Sequence, residues 1–188
     1  MIRRLTKIGY VLALTGIGLA AADDGTQFSA KVGLISPQGD LHTLTRGSFG
    51  YGGELGYDLT PTKAMGVGLG FNAGFLVARG KNTNVETFDA KATYAGLDLI
   101  YPIGEIPLTL RAGLQLITWD VTSITADPGL GAMGDTSWKL GFRFGVEYQI
   151  NKKWSVSSMY NISHWKADVT PNSGGNPSFV TLMAGYKF

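Results

Sequence analysis

The chain contains no cysteine, little charge, only 7 prolines and no run of 18 consecutive apolar residues. Each scarcity excludes something. Without cysteine there is no disulfide scaffold, no thiol nucleophile and no Cys-based zinc site. Charged residues make up 16% of the chain, against about 25% in ordinary soluble domains. The formal charge is +2, with no concentrated basic patch of the kind a nucleic-acid partner requires. The prolines are too few, and glycine lacks the period of three, for a collagen-like chain. What is abundant is glycine, 27 of 188 residues, together with 44% hydrophobic residues. The mean hydropathy of +0.08 is high for a water-soluble protein and too low for a bundle of membrane helices. At ~100–200 residues per domain, the length is that of one domain.

The first 22 residues have the layout of a cleaved secretory signal peptide. Arg3, Arg4 and Lys7 form a basic start, residues 8–19 are uncharged and largely apolar, and Ala20-Ala21-Ala22 offers a small-residue cleavage site. The apolar part is too short to span a bilayer, which takes about 20 residues. Removing this leader takes away three basic residues and no acidic ones. Residues 23–188 then carry 13 basic and 14 acidic side chains. The whole-chain pI of 8.8 therefore mostly reports the leader.

The remainder alternates with period two. Phe49, Tyr51, Gly53, Leu55, Tyr57 and Leu59 share one face, opposite Gly50, Gly52, Glu54, Gly56 and Asp58. Trp138, Leu140, Phe142, Phe144, Val146, Tyr148 and Ile150 alternate in the same way with Lys139, Gly141, Arg143, Gly145, Glu147 and Gln149. Such patterns predict strands with one apolar and one polar or tiny face. Eight segments qualify, near 26–36, 48–59, 64–78, 88–101, 107–119, 137–150, 154–165 and 178–188. Short turns at 60–63, 102–106 and 151–153 alternate with longer polar connections at 38–47, 79–87, 120–136 and 166–177. An even strand count, with short turns at one end and long loops at the other, predicts an all-β fold: an eight-stranded antiparallel transmembrane up-and-down β-barrel over 23–188. A closed barrel pairs every backbone group within the protein, as lipid demands.

A soluble barrel such as a lipocalin would instead point its apolar face inward and its charges outward. Here the apolar face is the bulkier one and stays free of charge over six or seven positions, whereas the opposite face mixes glycine with scattered charges. Large apolar side chains suit lipid, and glycine and charge suit a narrow polar interior. Tyr57, Tyr101, Trp138, Tyr148, Trp154 and Trp165 gather near strand ends, as an interfacial girdle requires.

The chain closes on Val180, Leu182, Ala184, Tyr186 and Phe188 along one face. A terminal aromatic residue after alternating apolar positions resembles the signal read by the bacterial outer-membrane assembly machinery. Tyr101-Pro102-Ile103, Leu110-Arg111-Ala112-Gly113, Trp119-Asp120 and Gly145-Val146-Glu147-Tyr148-Gln149-Ile150 resemble the membrane domain of OmpA-like porins. Gly50-Tyr51-Gly52-Gly53-Glu54-Leu55-Gly56-Tyr57 resembles that family and the related opacity-type surface antigens. The resemblance implies a bacterial outer-membrane barrel without the peptidoglycan-binding domain that many OmpA proteins carry. It places Arg111 and Glu147 at family charge positions, and Ser157 where a lumen arginine is expected.

The candidate site is thus the interior: Glu54, Asp98, Arg111, Arg143 and Glu147 as a charge network. Asp98 and Arg111 lie equidistant from a turn centred between Gly104 and Glu105, so an in-register hairpin sets them face to face. Unpaired charges in so confined a space are costly, which predicts salt bridges that fill the barrel. The two histidines, His42 and His164, lack an acid and a nucleophile at catalytic spacing, and one His on each of two segments is no metal site. The Asp127-Pro128-Gly129 string is a turn, and Asp135 in the same loop adds too little for a calcium site. No catalytic residue, cofactor or metal is expected. The expected role is structural or surface-interacting, with the long loops outward. A narrow channel for ions or small apolar solutes is the alternative, and a lipid A-modifying enzyme a further one. The expected partners are membrane lipid, lipopolysaccharide, the assembly machinery during insertion and an unspecified loop ligand.

Overall fold

Period-two alternation becomes strand wherever both faces find a suitable solvent. The computed structural model describes residues 26–39, 41–42, 48–59, 66–81, 87–124, 138–163, 165–166, 174–175 and 177–188. Its strands are β1 (Thr26–Gln38), β2 (Gly50–Leu59), β3 (Gly68–Lys81), β4 (Thr87–Pro102), β5 (Leu108–Ile124), β6 (Lys139–Gln149), β7 (Trp154–Ile162), β8 (Trp165–Lys166), β9 (Gly174–Gly175) and β10 (Pro177–Lys187). Eight of them close a barrel in the order β1-β10-β7-β6-β5-β4-β3-β2. Every neighbouring pair is antiparallel. The closed ladder leaves no sheet edge along the barrel wall.

Four strands end elsewhere than expected. The seventh barrel strand stops at Ile162 instead of 165, and Trp165 pairs with Gly175 in a separate two-stranded ladder. The third, fourth and fifth strands run on through residues expected as loop, to Lys81, from Thr87 and to Ile124. Their mutual pairing extends to Lys81↔Thr87 and Thr87↔Ile124, so a three-stranded ledge stands above the long-loop end. Polar side chains there suggested loop, but backbone pairing does not depend on apolarity once a neighbouring strand continues.

The β4–β5 hairpin also corrects the register. Asp98 pairs with Gly113 and Arg111 with Ile100. The expected register would set Pro102 opposite Pro107, whereas the ladder pairs Pro102 with Thr109. The turn instead leaves 103–107 outside the ladder, closed by Ile103 N–H donating to the Leu108 carbonyl at 2.9 Å. Gly104 takes a φ of +55°, which glycine adopts without steric cost. The shift of two residues keeps every side chain on its face. At the β6–β7 turn the Asn151 Oδ1 accepts from the backbone of Lys153 and Trp154, both at 2.9 Å.

The outward face is apolar and exposed, with Leu34, Phe71, Phe75, Leu97, Phe142 and Leu182 as examples. The inward face is a checkerboard. One row across five strands reads Gly70, Asp98, Gly113, Arg143, Asn161, and the next reads Asn72, Gly96, Gln115, Gly141. Each glycine leaves room for a large side chain beside it. A Cβ at Gly74 would stand 2.6 Å from the Tyr94 hydroxyl, and one at Gly70 would stand 2.7 Å from Asp58 Oδ1.

The interior is not polar throughout, as the sequence led one to expect. Toward the long loops it is a buried apolar core of Ile35, Leu76, Ile117, Trp119 and Phe179, with Leu41 inserted from the β1–β2 connection. The Trp119 and Phe179 rings meet edge to face at 6.0 Å. Trp119 Nε1 donates to Ser163 Oγ at 3.1 Å, and Ser163 Oγ donates to the Pro177 carbonyl at 3.1 Å. Packing of this kind excludes water from the long-loop half of the lumen.

Candidate functional site

The short-turn half of the lumen holds the charges. Alternation aims Lys31 inward from β1, Glu54 and Asp58 from β2, Asp98 from β4, Arg111 from β5, Arg143 and Glu147 from β6, and Lys187 from β10. Four cations thus meet four carboxylates. Arg143 Nη1 donates to Glu54 Oε2 at 2.6 Å and to Asn72 Oδ1 at 3.0 Å. Tyr94 donates its hydroxyl to the same Glu54 oxygen at 3.0 Å. Lys31 bridges two carboxylates, Glu147 at 2.9 Å and Glu54 at 3.5 Å. Glu147 also faces Arg111 Nε at 3.0 Å and Lys187 Nζ at 3.1 Å. Arg111 makes a two-pronged pair with Asp58, with Nη1 to Oδ1 at 3.1 Å and Nη2 to Oδ2.

All five residues expected at this site are inward, buried and in one connected network. The expected partnership of Asp98 with Arg111 is only a long diagonal contact of 3.7 Å. The nearer cation to Asp98 is Arg143, whose Nε lies at 3.3 Å. Asp98 is fully buried and neither of its oxygens accepts a hydrogen bond. Ion pairing without hydrogen bonding makes it the least satisfied carboxylate here.

Sequence reasoning missed Lys31, Asp58, Lys187, Tyr94 and Asn72. The signal was present in part. Asp58 stands on the glycine face of β2, and Lys187 alternates with Tyr186 and Phe188. Tyr94 shares the face of Asp98 by parity, but a tyrosine in an apolar strand reads as lipid-facing. Ser157 is inward and buried, and the cation beside Glu147 comes instead from Lys31 across the barrel.

At the short-turn end the network opens into a vestibule of about 140 Å³ lined by Gln27, Asp58, Thr109, Arg111, Glu147 and Lys187. Among the described residues, no group of three or more His, Cys, Asp or Glu side chains is placed to hold a metal ion. His42 is exposed beside the buried Leu41. His164, Asp127, Asp135, residues 1–22 and the side chain of Trp165 lie outside the described residues. Val180, Leu182, Tyr186 and Phe188 share the outward face of β10, where Tyr186 stacks edge to face on Trp154 at 5.1 Å and on Phe188 at 5.2 Å.

Comparison with known proteins agrees with this architecture. No curated protein matches the chain. Among solved structures, Ail of Yersinia pestis, an attachment invasion locus protein, superposes with a TM-score of 0.59 at 14% identity, covering 88% of this chain and all of that one. Neisserial surface protein A superposes at 0.54 with 18% identity, covering 87% of this chain and 96% of that one. The family model of the outer membrane protein beta-barrel domain matches residues 10–188. With its closed barrel and apolar outer wall, the chain therefore belongs to the outer membrane protein beta-barrel domain family and is a barrel of the bacterial outer membrane.

Proposed function

We propose that this barrel is a non-enzymatic, structural or surface-interacting component of the outer membrane, with its long loops and the β3–β5 ledge facing outward. One observation carries the reading: the lumen is closed at two successive levels, by the ion-pair network and by the apolar core above it. A conduction path needs volume that solute can reach, and eight strands leave an interior that side chains fill. The leader at 1–22 is the export signal in this reading, and Val180, Leu182, Tyr186 and Phe188 are the assembly signal. A barrel of the same fold, Ail, has been solved with the heparin analogue sucrose octasulfate. That precedent supports an external ligand role for such a scaffold without naming the ligand here.

The vestibule favours a second reading, a narrow channel entered from the short-turn side. Planar-bilayer recording separates the two. The purified wild-type barrel is expected to show no openings, and the mass spectrum of cellular lipid A is expected to be unchanged by its expression or deletion. Steady conductance in the wild type overturns the closed scaffold in favour of the channel. A new lipid A species overturns it in favour of an enzyme.

A further inference from the structure

Among side chains described on the outward face of the barrel strands, charge is confined to one place. Arg79 on β3, Asp89 and Lys91 on β4, and Asp120 on β5 are neighbours at the base of the ledge. Arg79 pairs across the ladder with Asp89, and Lys91 with Asp120. Asp89 draws the two cations together. Its Oδ1 lies 3.5 Å from Arg79 Nε, and its Oδ2 lies 3.1 Å from Lys91 Nζ. The exposures are unequal: the Arg79 side chain is 67% exposed and that of Lys91 51%, but that of Asp89 only 15%. The carboxylate is tucked behind two cationic heads. The outer guanidinium nitrogens of Arg79 and two of the Lys91 ammonium donors have no partner among the described residues.

Leu69 to Arg79, Tyr101 to Lys91 and Leu110 to Asp120 are each ten residues along one strand. At about 3.3 Å per residue and a tilt near 40°, ten residues climb roughly 25 Å along the barrel axis. That is the height of the apolar band of an outer-membrane barrel, about 25 Å. Between those ends the outward positions are apolar or small, such as Phe75, Ala95, Leu97 and Leu116. Arg79 and Lys91 therefore stand where hydrocarbon ends and headgroups begin.

We propose that Arg79 and Lys91, aligned by Asp89, form a clamp for the phosphate of an anionic outer-leaflet lipid, with the acyl chains lying on the apolar column below. Guanidinium and ammonium groups give charge-assisted hydrogen bonds to phosphate oxygens. Asp89 is tucked against the wall, and Asp120, though exposed, is shorter than the two cations that reach for the headgroup. The proposal rests on the outward orientation of the long-loop end.

The test uses the intact barrel in phosphatidylcholine vesicles doped with bisphosphorylated lipid A or its dephosphorylated form, in EDTA and low salt. The phosphorylated form is expected to be retained around the wild type more strongly by a factor on the order of ten. The preference should shrink at high salt. It should be lost in the double variant Arg79→Gln with Lys91→Gln, which must still show the folded mobility of an unboiled barrel on a gel. Equal retention by wild type and double variant overturns the clamp. So does retention that requires Mg²⁺ and survives in the double variant, which would assign the contact to a cation bridging from Asp89 and Asp120. Orientation is read separately: His42→Cys, in a chain with no native cysteine, should react in cells with a membrane-impermeant maleimide. Absence of labelling overturns the orientation and with it the leaflet. Labelling without a lipid A preference overturns the clamp alone.

Discussion

Arg143 is the most deeply buried cation of the lumen. It touches Glu54, Asp98 and Asn72 from one side chain. Removing one partner of a buried pair leaves an uncompensated charge and costs about 3–5 kcal/mol. Arg143→Ala should show a loss of that size in urea unfolding of the lipid-reconstituted barrel, followed by tryptophan fluorescence. Lys31→Met should cost less, because Glu147 keeps Arg111 and Lys187, and Glu54 keeps Arg143. Asp98→Asn should likewise cost less than Glu54→Gln, since Asp98 accepts no hydrogen bond and Glu54 accepts them from Arg143 and Tyr94. If Lys31→Met or Asp98→Asn proves the costliest, the assignment of Arg143 and Glu54 as the centre of the network is wrong. The interior glycines belong to the same scale. Gly74 is small because the Tyr94 ring that reaches Glu54 occupies the space of its missing side chain.

A strand of this barrel is three solvents in series. Along the outward face of β4, Tyr101 marks the interface at the short-turn end, Leu99 and Leu97 meet hydrocarbon, and Lys91 and Asp89 stand beyond it. A charge on the lipid face costs about 2–4 kcal/mol at the bilayer midplane for Arg or Lys and about 0–1 kcal/mol near an interface. Leu97→Arg should therefore destabilise the reconstituted barrel strongly and Thr93→Arg only slightly. Equal losses at the two positions would mean that the lipid boundary does not run where the strand places it. The inward face of the same strand changes character too, from Ala90 and Ala92 through Tyr94 to Asp98. Period two was legible at both faces of β4, and so was the strand. The passage from apolar to charged along its inward face was visible in the letters but had no meaning until seven other strands were set beside it.

At the scale of the molecule, closure is what couples these parts. The first strand pairs with the last through ten positions, from Ser29↔Lys187 to Gln38↔Ser178. The backbone N–H of Phe188 donates to the Phe28 carbonyl at 2.9 Å. Barrel folding thus waits on the C-terminal strand. Unboiled wild-type protein is expected to migrate differently from boiled protein on a gel, reporting the closed barrel. Deleting Phe188 is expected to lower the fraction that reaches this form in the outer membrane of cells, with less effect on refolding of purified chain into detergent. An equal defect in both settings would assign Phe188 to barrel packing instead of to the assembly signal.

Alternation, the charge-free apolar face and the aromatic strand ends determined the all-β class, the strand number and which face meets lipid. These are properties of single strands, and a period of two is written into each strand separately. The five interior charges were legible for the same reason, since inward position follows from parity. Partner choice was not. Whether Asp98 meets Arg111 or Arg143 depends on register, and the register is set by how the turn at 103–107 closes. Lys31 and Lys187 join the network only because the first and last strands meet. The apolar seal at the long-loop end gathers Ile35, Leu76, Trp119 and Phe179 from strands far apart in the chain. Contacts across a closed barrel join residues that no local pattern links, so only the tertiary structure could decide them.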